Sequence, residues 1–244
     1  SQLGNDVGFI GKVNDDDLGK KYEEGLIKEK VNFFYKKKEE VSPTGTCLVL
    51  ITPDAERTMV TYLGIAGKIS SKDINDRAIK ESKMILLEGY LWDEGEPKSA
   101  FEKAIQLSNK KAMSLSDQFC VERHKDSFLD LLKNKLDIIF ANEQEIQSLI
   151  GTSDFDEVIV FGKQLGKLLV ITRGEKGSVA IINNEVTECK IKSNLKIVDL
   201  TGAGDLFAAG FLHGFINNFS IKENLQEGTE MSSKIIQKVG ARLD

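Results

Sequence analysis

The chain is poor in the residues that build metal cages and disulfide frameworks. Its 244 residues include three cysteines and two histidines. Cys47, Cys120 and Cys189 are scattered and odd in number, with neither metal-type spacing nor a paired framework. A reducing cytoplasm is the simplest compartment for such a chain. His124 and His213 stand apart, the first read as a surface residue and the second as a helix residue, so they make no metal pair. No apolar run reaches the length of a membrane span, and no signal peptide is visible. An excess of basic charge is missing too: 38 acidic residues face 33 basic ones, for a net charge of −5. That balance argues against nucleic acid or a membrane surface as partner, since either calls for a basic face. The one dense basic run, Lys36-Lys37-Lys38, is followed at once by Glu39 and Glu40 and reads as a solvated edge or loop. Internal repeats and low-complexity linkers are absent from the sequence.

What the chain does have is an alternation of apolar strands and amphipathic helices. Strands are expected over Val7–Val13, Val31–Tyr35, Thr46–Thr52 and Arg57–Leu63, with a helix over Asp15–Glu29 and a turn at Pro53-Asp54-Ala55-Glu56. These early strands break the alternation, and a small sheet standing off the main domain explains them. From residue 71 the pattern is regular. Helices are expected over Ser71–Lys80, Pro97–Asn109, Lys125–Asn134, Glu143–Ile150 and Asp154–Leu165. Strands are expected over Met84–Leu87, Ala112–Leu115, Asp137–Ala141, Leu168–Thr172 and Leu195–Leu200, with a hairpin through Asn183-Asn184. Strands alternating with helices imply a parallel sheet, and ligands of such sheets bind beyond the carboxyl ends of the strands. Asn142, Thr172 and Asp205 each follow an expected strand, so they would meet at one edge.

The most informative stretch is Asp199-Leu200-Thr201-Gly202-Ala203-Gly204-Asp205-Leu206-Phe207. Two glycines precede an aspartate at the start of an apolar helix. Glycine allows a tight turn and close approach of a ligand, and the free N–H groups of a helix start attract anions. An anion cradle beside a carboxylate base suits phosphoryl transfer to a hydroxyl. The plainer alternative is a turn shaped by Gly202 and Gly204 with Asp205 as a helix cap. The spacing matches neither G-x-G-x-x-G, because Phe207 takes the third glycine's place, nor a Walker A loop, because no Gly-Lys-Ser/Thr follows.

This segment closely resembles the carboxy-terminal signature of the ribokinase (PfkB) carbohydrate kinase family, D-T-x-G-A-G-D. Three further stretches resemble that family's motifs in the same order: Gly11-Lys12-Val13 with Asp16 and Gly19, Asn142-Glu143-Gln144-Glu145, and Thr172-Arg173-Gly174-Glu175-Lys176-Gly177. Within the family, Thr52–Gly64 and Leu115–His124 look most like the bacterial adenosine-kinase-like branch. The resemblance implies an α/β, ribokinase-like fold: a mainly parallel, Rossmann-like sheet flanked by helices, with a small β lid from about 31–66. It implies one kinase domain over 1–244, lacking the family's first strand, di-glycine turn and helix ahead of Ser1.

The resemblance also implies roles. Asp205 is the general base and an acceptor contact, and Gly202, Ala203 and Gly204 hold the transferring phosphoryl group. Thr172, Gly174, Gly177, Thr201 and Asn142 contact ATP. Asn142 and Glu145 organise Mg2+; as a plainer alternative they form a capping-box pair, and the two roles are compatible. The glycine turn after Thr172 is otherwise an ordinary charged hairpin, with Arg173 either near phosphate or on the surface. A monovalent cation such as K+ near Asp199 belongs to the same implied set. Tyr90 and Asp117 follow strands and are candidate acceptor contacts, as is Trp92, although aromatic residues there equally suit core packing. Arg57 and Thr61 lie on the expected lid. Thr229 stands where related chains often carry asparagine near the adenine. Phe207, Phe211 and Phe215 form a stripe read as core. The expected activity is ATP-dependent phosphoryl transfer to a primary hydroxyl of a sugar or ribonucleoside, adenosine-like acceptors favoured, with a homodimer through the lid strands as an open expectation. A nucleotide-binding protein without turnover is the rival; a dinucleotide oxidoreductase lacks its glycine fingerprint.

Overall fold

A computed structural model describes residues 1–92 and 95–243. The chain forms two units, Ser1–Leu50 with Thr58–Ile85 and Leu91–Asn109 in one, and Ile51–Arg57 with Leu86–Tyr90 and Lys110–Asp244 in the other.

The first unit begins as a strand–helix–strand motif. β1 (Val7–Phe9) and β2 (Val31–Phe33) pair in parallel around α1 (Asp17–Lys28). Phe9, Tyr22 and Phe33 pack ring against ring at 5.9 to 6.3 Å between centroids. Asp16 caps α1 by accepting from the Gly19 N–H at 2.8 Å, and it also accepts from the Thr44 N–H and hydroxyl at 2.8 and 2.7 Å. These donors, Thr44 first, hold the Asp16 carboxyl below the usual range. The early glycine-and-aspartate segment therefore fastens a helix start to a distant loop. The strand expected over Val7–Val13 is shorter and half exposed, since a two-stranded sheet with a single crossover helix leaves one face open.

β3 (Thr46–Ile51) and β4 (Arg57–Tyr62) form a separate two-stranded sheet. Every β4 side chain is exposed, and in β3 only Val49 is partly covered. The stretch 31–66 is thus divided between two sheets. The helix expected over Ser71–Lys80 is broken: a 3-10 turn spans Ser71–Asp73, and α2 (Asp76–Glu81) starts anew at Asn75, whose side chain accepts from the Ala78 N–H. After β5 (Ile85–Glu88) comes α3 (Glu96–Leu107). Trp92 is buried with its ring edge-on to Phe101 at 4.9 Å, so it packs in the core of the first unit.

The second unit is built on a six-stranded sheet. Its remaining elements are β6 (Lys111–Ser114), α4 (Gln118–Asn134), β7 (Ile138–Asn142), α5 (Glu143–Ile150), α6 (Phe155–Leu165), β8 (Leu168–Thr172), β9 (Ser178–Ile182), β10 (Glu185–Cys189), α7 (Ala203–Ile216) and α8 (Ile221–Ile235). The strand order is β10-β9-β8-β7-β6-β5. β6, β7 and β8 run parallel, with β9 and β10 antiparallel at one edge. Asn183 and Asn184 both take positive φ, which gives the β9–β10 turn the twist a two-residue hairpin needs. Ile138–Ala141 and Leu168–Ile171 are buried throughout, as strands covered on both faces must be. Phe211 of α7 meets Phe140 of β7 edge-on at 5.5 Å, and α7 packs along α8. Phe207 and Phe211 are core, as the stripe predicts, whereas Phe215 is only half-buried.

Two expectations fail here. Leu195–Leu200 is no strand; the N–H groups of Val198 and Asp199 both donate to the Ile236 carbonyl at the end of α8, so no strand edge is available to extend a ladder. α4 starts at Gln118, well before Lys125, because Asp117 caps it and a kink at His124 interrupts the helical periodicity. Among the described residues, no helix is long and apolar enough to cross a membrane.

Candidate active site

The glycine turn hangs on Asp199. Its carboxylate is fully buried; one oxygen accepts from the Thr201 N–H at 2.8 Å and the Thr201 hydroxyl at 2.6 Å, the other from the Gly240 N–H at 2.8 Å. Burial pushes this carboxyl up, but the three donors outweigh it and its affinity for a proton falls below the usual range. Gly202 then takes φ +78, a left-handed conformation that glycine adopts without strain, and α7 begins at the next residue. The Ala203 N–H donates back to Leu200 O at 3.2 Å, whereas those of Gly202 and Gly204 have no partner among the described residues. Two of the three expected amides thus face an open helix start; the third closes the turn.

Asp205 sits in the first turn of α7. Loss of hydration raises its carboxyl above the usual range, and the charge of Arg57, in the same unit, pulls it back. A carboxylate with raised proton affinity beside unpartnered helix-start amides can take a proton from a hydroxyl while the amides face developing negative charge.

The ends of β7 and β8 bring two more predicted residues together, because Asn142 and Thr172 are register partners. Asn142 caps α5: its Oδ1 accepts from the Glu145 N–H at 2.8 Å, while Glu145 accepts from the Asn142 N–H at 2.9 Å and from Asn142 Nδ2 at 2.6 Å. Burial lifts the Glu145 carboxyl to about 7, against the pull of the Asn142 donors and with a push from Asp117. The turn after Thr172 closes through the Arg173 N–H to Gly177 O at 2.8 Å. Gly177 lies at φ +90, and a Cβ there would stand 2.1 Å from Cys189 O. Arg173 is not a free phosphate ligand: its guanidinium grips Glu143 at 3.0 and 3.2 Å and lies 3.4 Å over the Phe155 ring. The capping motif and the glycine turn are therefore fastened to each other.

Asp117 caps α4 through the Cys120 N–H. Tyr90 is linked through Ser116 to a residue that sequence reasoning did not single out, Glu88. It closes β5, half-buried, and accepts from the Ser116 hydroxyl at 3.0 Å. Burial raises its carboxyl to about 7, Asp205 adds to the rise, and Ser116 opposes it. The Tyr90 phenol donates to Ser116 O at 3.2 Å, and burial and then the charge of Asp117 push its own proton loss upward. The available signal for Glu88 was a lone carboxylate ending an otherwise apolar strand.

Mg2+ is the metal that the family motifs imply. No group of three or more His, Cys, Asp or Glu among the described residues forms a metal cage. Both Glu145 oxygens already accept from Asn142, so the pair fits a hydrated Mg2+ held through water by hard oxygen atoms.

Comparison with known proteins identifies the family and the fold. The whole chain, residues 1–244, matches the model of the pfkB family carbohydrate kinases. The crystal structure of an adenosine kinase from Sinorhizobium meliloti superposes with a TM-score of 0.96 at 36% identity, covering 99% of this chain and 75% of that one. A probable sugar kinase from Rhizobium etli superposes at 0.95 with 33% identity, over 98% of this chain and 74% of the other. An uncharacterized sugar kinase of Archaeoglobus fulgidus is 26% identical over 99% of this chain and 96% of its own. The fold is the ribokinase-like α/β fold, a mainly parallel core sheet flanked by helices with a small additional β sheet. With this fold, a glycine turn and carboxylate on α7, and a family model matched from end to end, the chain belongs to the pfkB family of carbohydrate kinases, ATP-dependent kinases of sugars and nucleosides.

Proposed function

We propose that this chain transfers the γ-phosphoryl group of ATP to a primary hydroxyl of a sugar or ribonucleoside, with an adenosine-like acceptor favoured. The observation that carries the reading is Asp205: a carboxylate of raised proton affinity in the first turn of α7, next to the unpartnered amides of Gly202 and Gly204. Asp205 takes the acceptor hydroxyl's proton. The amides of Gly202 and Gly204 face the charge that develops on the phosphoryl oxygens, helped by the helix dipole. Thr201 is oriented by Asp199, and Thr172, Gly174 and Gly177 form the rim on which the nucleotide phosphates rest. Asn142 and Glu145 would hold Mg2+ through water, and the ion would supply positive charge against the nucleotide oxygens. Glu88, Tyr90 and Asp117 form the acceptor end. A monovalent cation near Asp199 accompanies this set, and the three free thiols suit a reducing cytoplasm.

The acceptor preference is supported by the Sinorhizobium meliloti relative's description as an adenosine kinase. Relatives of 25 to 26% identity described as 5-dehydro-2-deoxygluconokinases make that sugar acid the specific competitor. The exposed apolar side chains of β3 and β4, Leu48, Leu50, Val60 and Tyr62 among them, support pairing of two copies through this sheet.

The test is ADP release by the full chain with ATP and Mg2+ against adenosine, other nucleosides, ribose, fructose and 5-dehydro-2-deoxygluconate. One acceptor stimulating turnover supports the reading. ATP binding with no stimulation by any of them points to the rival, a nucleotide-binding protein without turnover.

A further inference from the structure

Ser116 lies in the loop between β6 and α4 with φ +74. That left-handed conformation strains a residue that carries a Cβ, and glycine would make the same turn without strain. The serine is nonetheless bonded on every polar atom. Its hydroxyl donates to Glu88 Oε2 at 3.0 Å and accepts from the Tyr90 N–H at 3.3 Å; its carbonyl accepts from the Tyr90 phenol at 3.2 Å; its N–H donates to Ser114 Oγ at 3.2 Å. One strained residue therefore fixes both a carboxylate and a phenol just past the carboxyl end of β5. The charges of Glu88 and Asp205 oppose each other, and Ser116 is the residue that bonds the Glu88 carboxylate. Backbone strain retained where a side chain makes such contacts marks a functional constraint.

We propose that Ser116 is a positioning residue for the acceptor end of the site, holding the Glu88 carboxylate and the Tyr90 ring in place for the acceptor's hydroxyl groups. The inference rests on the kinase reading above. It predicts a separation of stability from function, because Ser116→Gly relieves the backbone while freeing the Glu88 carboxylate and the Tyr90 N–H; the bond from the Tyr90 phenol to the Ser116 carbonyl remains.

The experiment compares the wild-type full chain with Ser116→Gly, Ser116→Ala, Glu88→Gln and the Ser116→Gly/Glu88→Gln double variant, using the best acceptor from the panel. Ser116→Gly is expected to melt at or above the wild-type Tm and Ser116→Ala near it. Both should raise the acceptor KM about tenfold, the loss of a hydrogen bond to a charged group, with the ATP KM within about twofold of wild type. In the Glu88→Gln background, Ser116→Gly should cost much less than it does alone, because the two residues act as one unit. A Ser116→Gly protein with the wild-type acceptor KM, or acceptor KM values that simply follow Tm across the set, overturns the proposal and leaves the kinase reading standing. A wild-type chain with no acceptor-stimulated ADP release overturns the kinase reading, and this proposal falls with it.

Discussion

Asn142 and Glu145 hold each other in both directions across the first turn of α5, Oδ1 accepting at 2.8 Å one way and the carboxylate accepting at 2.9 and 2.6 Å the other. This reciprocal pair is a capping box, and it leaves the carboxylate's remaining lone pairs for water. One geometry can thus serve both the cap and the proposed Mg2+ site. Replacing Asn142 with Ala should cost about 1 kcal/mol of unfolding free energy, the usual value of an N-cap, measured by urea denaturation. The same variant should need more Mg2+ for half-maximal turnover. A stability loss with an unchanged Mg2+ requirement would assign the pair to capping alone.

Asp199 is the buried pin of the glycine turn. Asp199→Ala leaves the Thr201 and Gly240 donors without their acceptor in a closed space, so a loss of about 2–4 kcal/mol is expected. Its folded proton affinity is depressed, so the stability it contributes is present above the ordinary carboxylate range and is lost as pH falls through its folded value. Wild type and Asp199→Ala should therefore converge in stability at low pH, as thermal melts across a pH series would show.

Glu88 predicts the opposite trend. Its carboxyl rises from an ordinary 4.5 to about 7 in the folded chain. Between those values the folded chain holds a proton that the unfolded chain has released, so wild type loses stability as pH climbs through that window. Glu88→Gln removes the titration. The variant should match wild type near pH 4 and exceed it at pH 8 by on the order of 1–2 kcal/mol, with weaker acceptor binding. Equal stability at both pH values would mean that Glu88 titrates normally.

Arg57 lowers the proton affinity of Asp205. Arg57→Ala should therefore raise it, and the acid limb of the kcat/KM profile should move to higher pH. An unmoved limb would show that Arg57 does not act on the base.

Much of this was legible in the sequence. Long periodic elements such as α5 and β8 fall where the pattern places them, and Asn142 and Thr172 do meet at one sheet edge. The failures share a cause: they are set by tertiary partners. Leu195–Leu200 has the composition of a strand, but its Val198 and Asp199 N–H groups go to the Ile236 carbonyl at the end of α8. Arg173 looked available for phosphate until Glu143 and Phe155, distant in sequence, proved to hold it. Trp92 was equally suited to pocket or core, and Phe101 decides for the core. For Glu88 the only local signal is a carboxylate ending an apolar strand; that the loop after another strand bonds it is set by tertiary structure.

The most direct test of the account is Asp205→Ala, assayed for acceptor-stimulated ADP release and, by calorimetry, for ATP binding. The account predicts a fall in kcat of about 10^2- to 10^4-fold, as for removal of a general base, with the ATP Kd within about twofold of wild type. A variant that keeps turning over near the wild-type rate would contradict it.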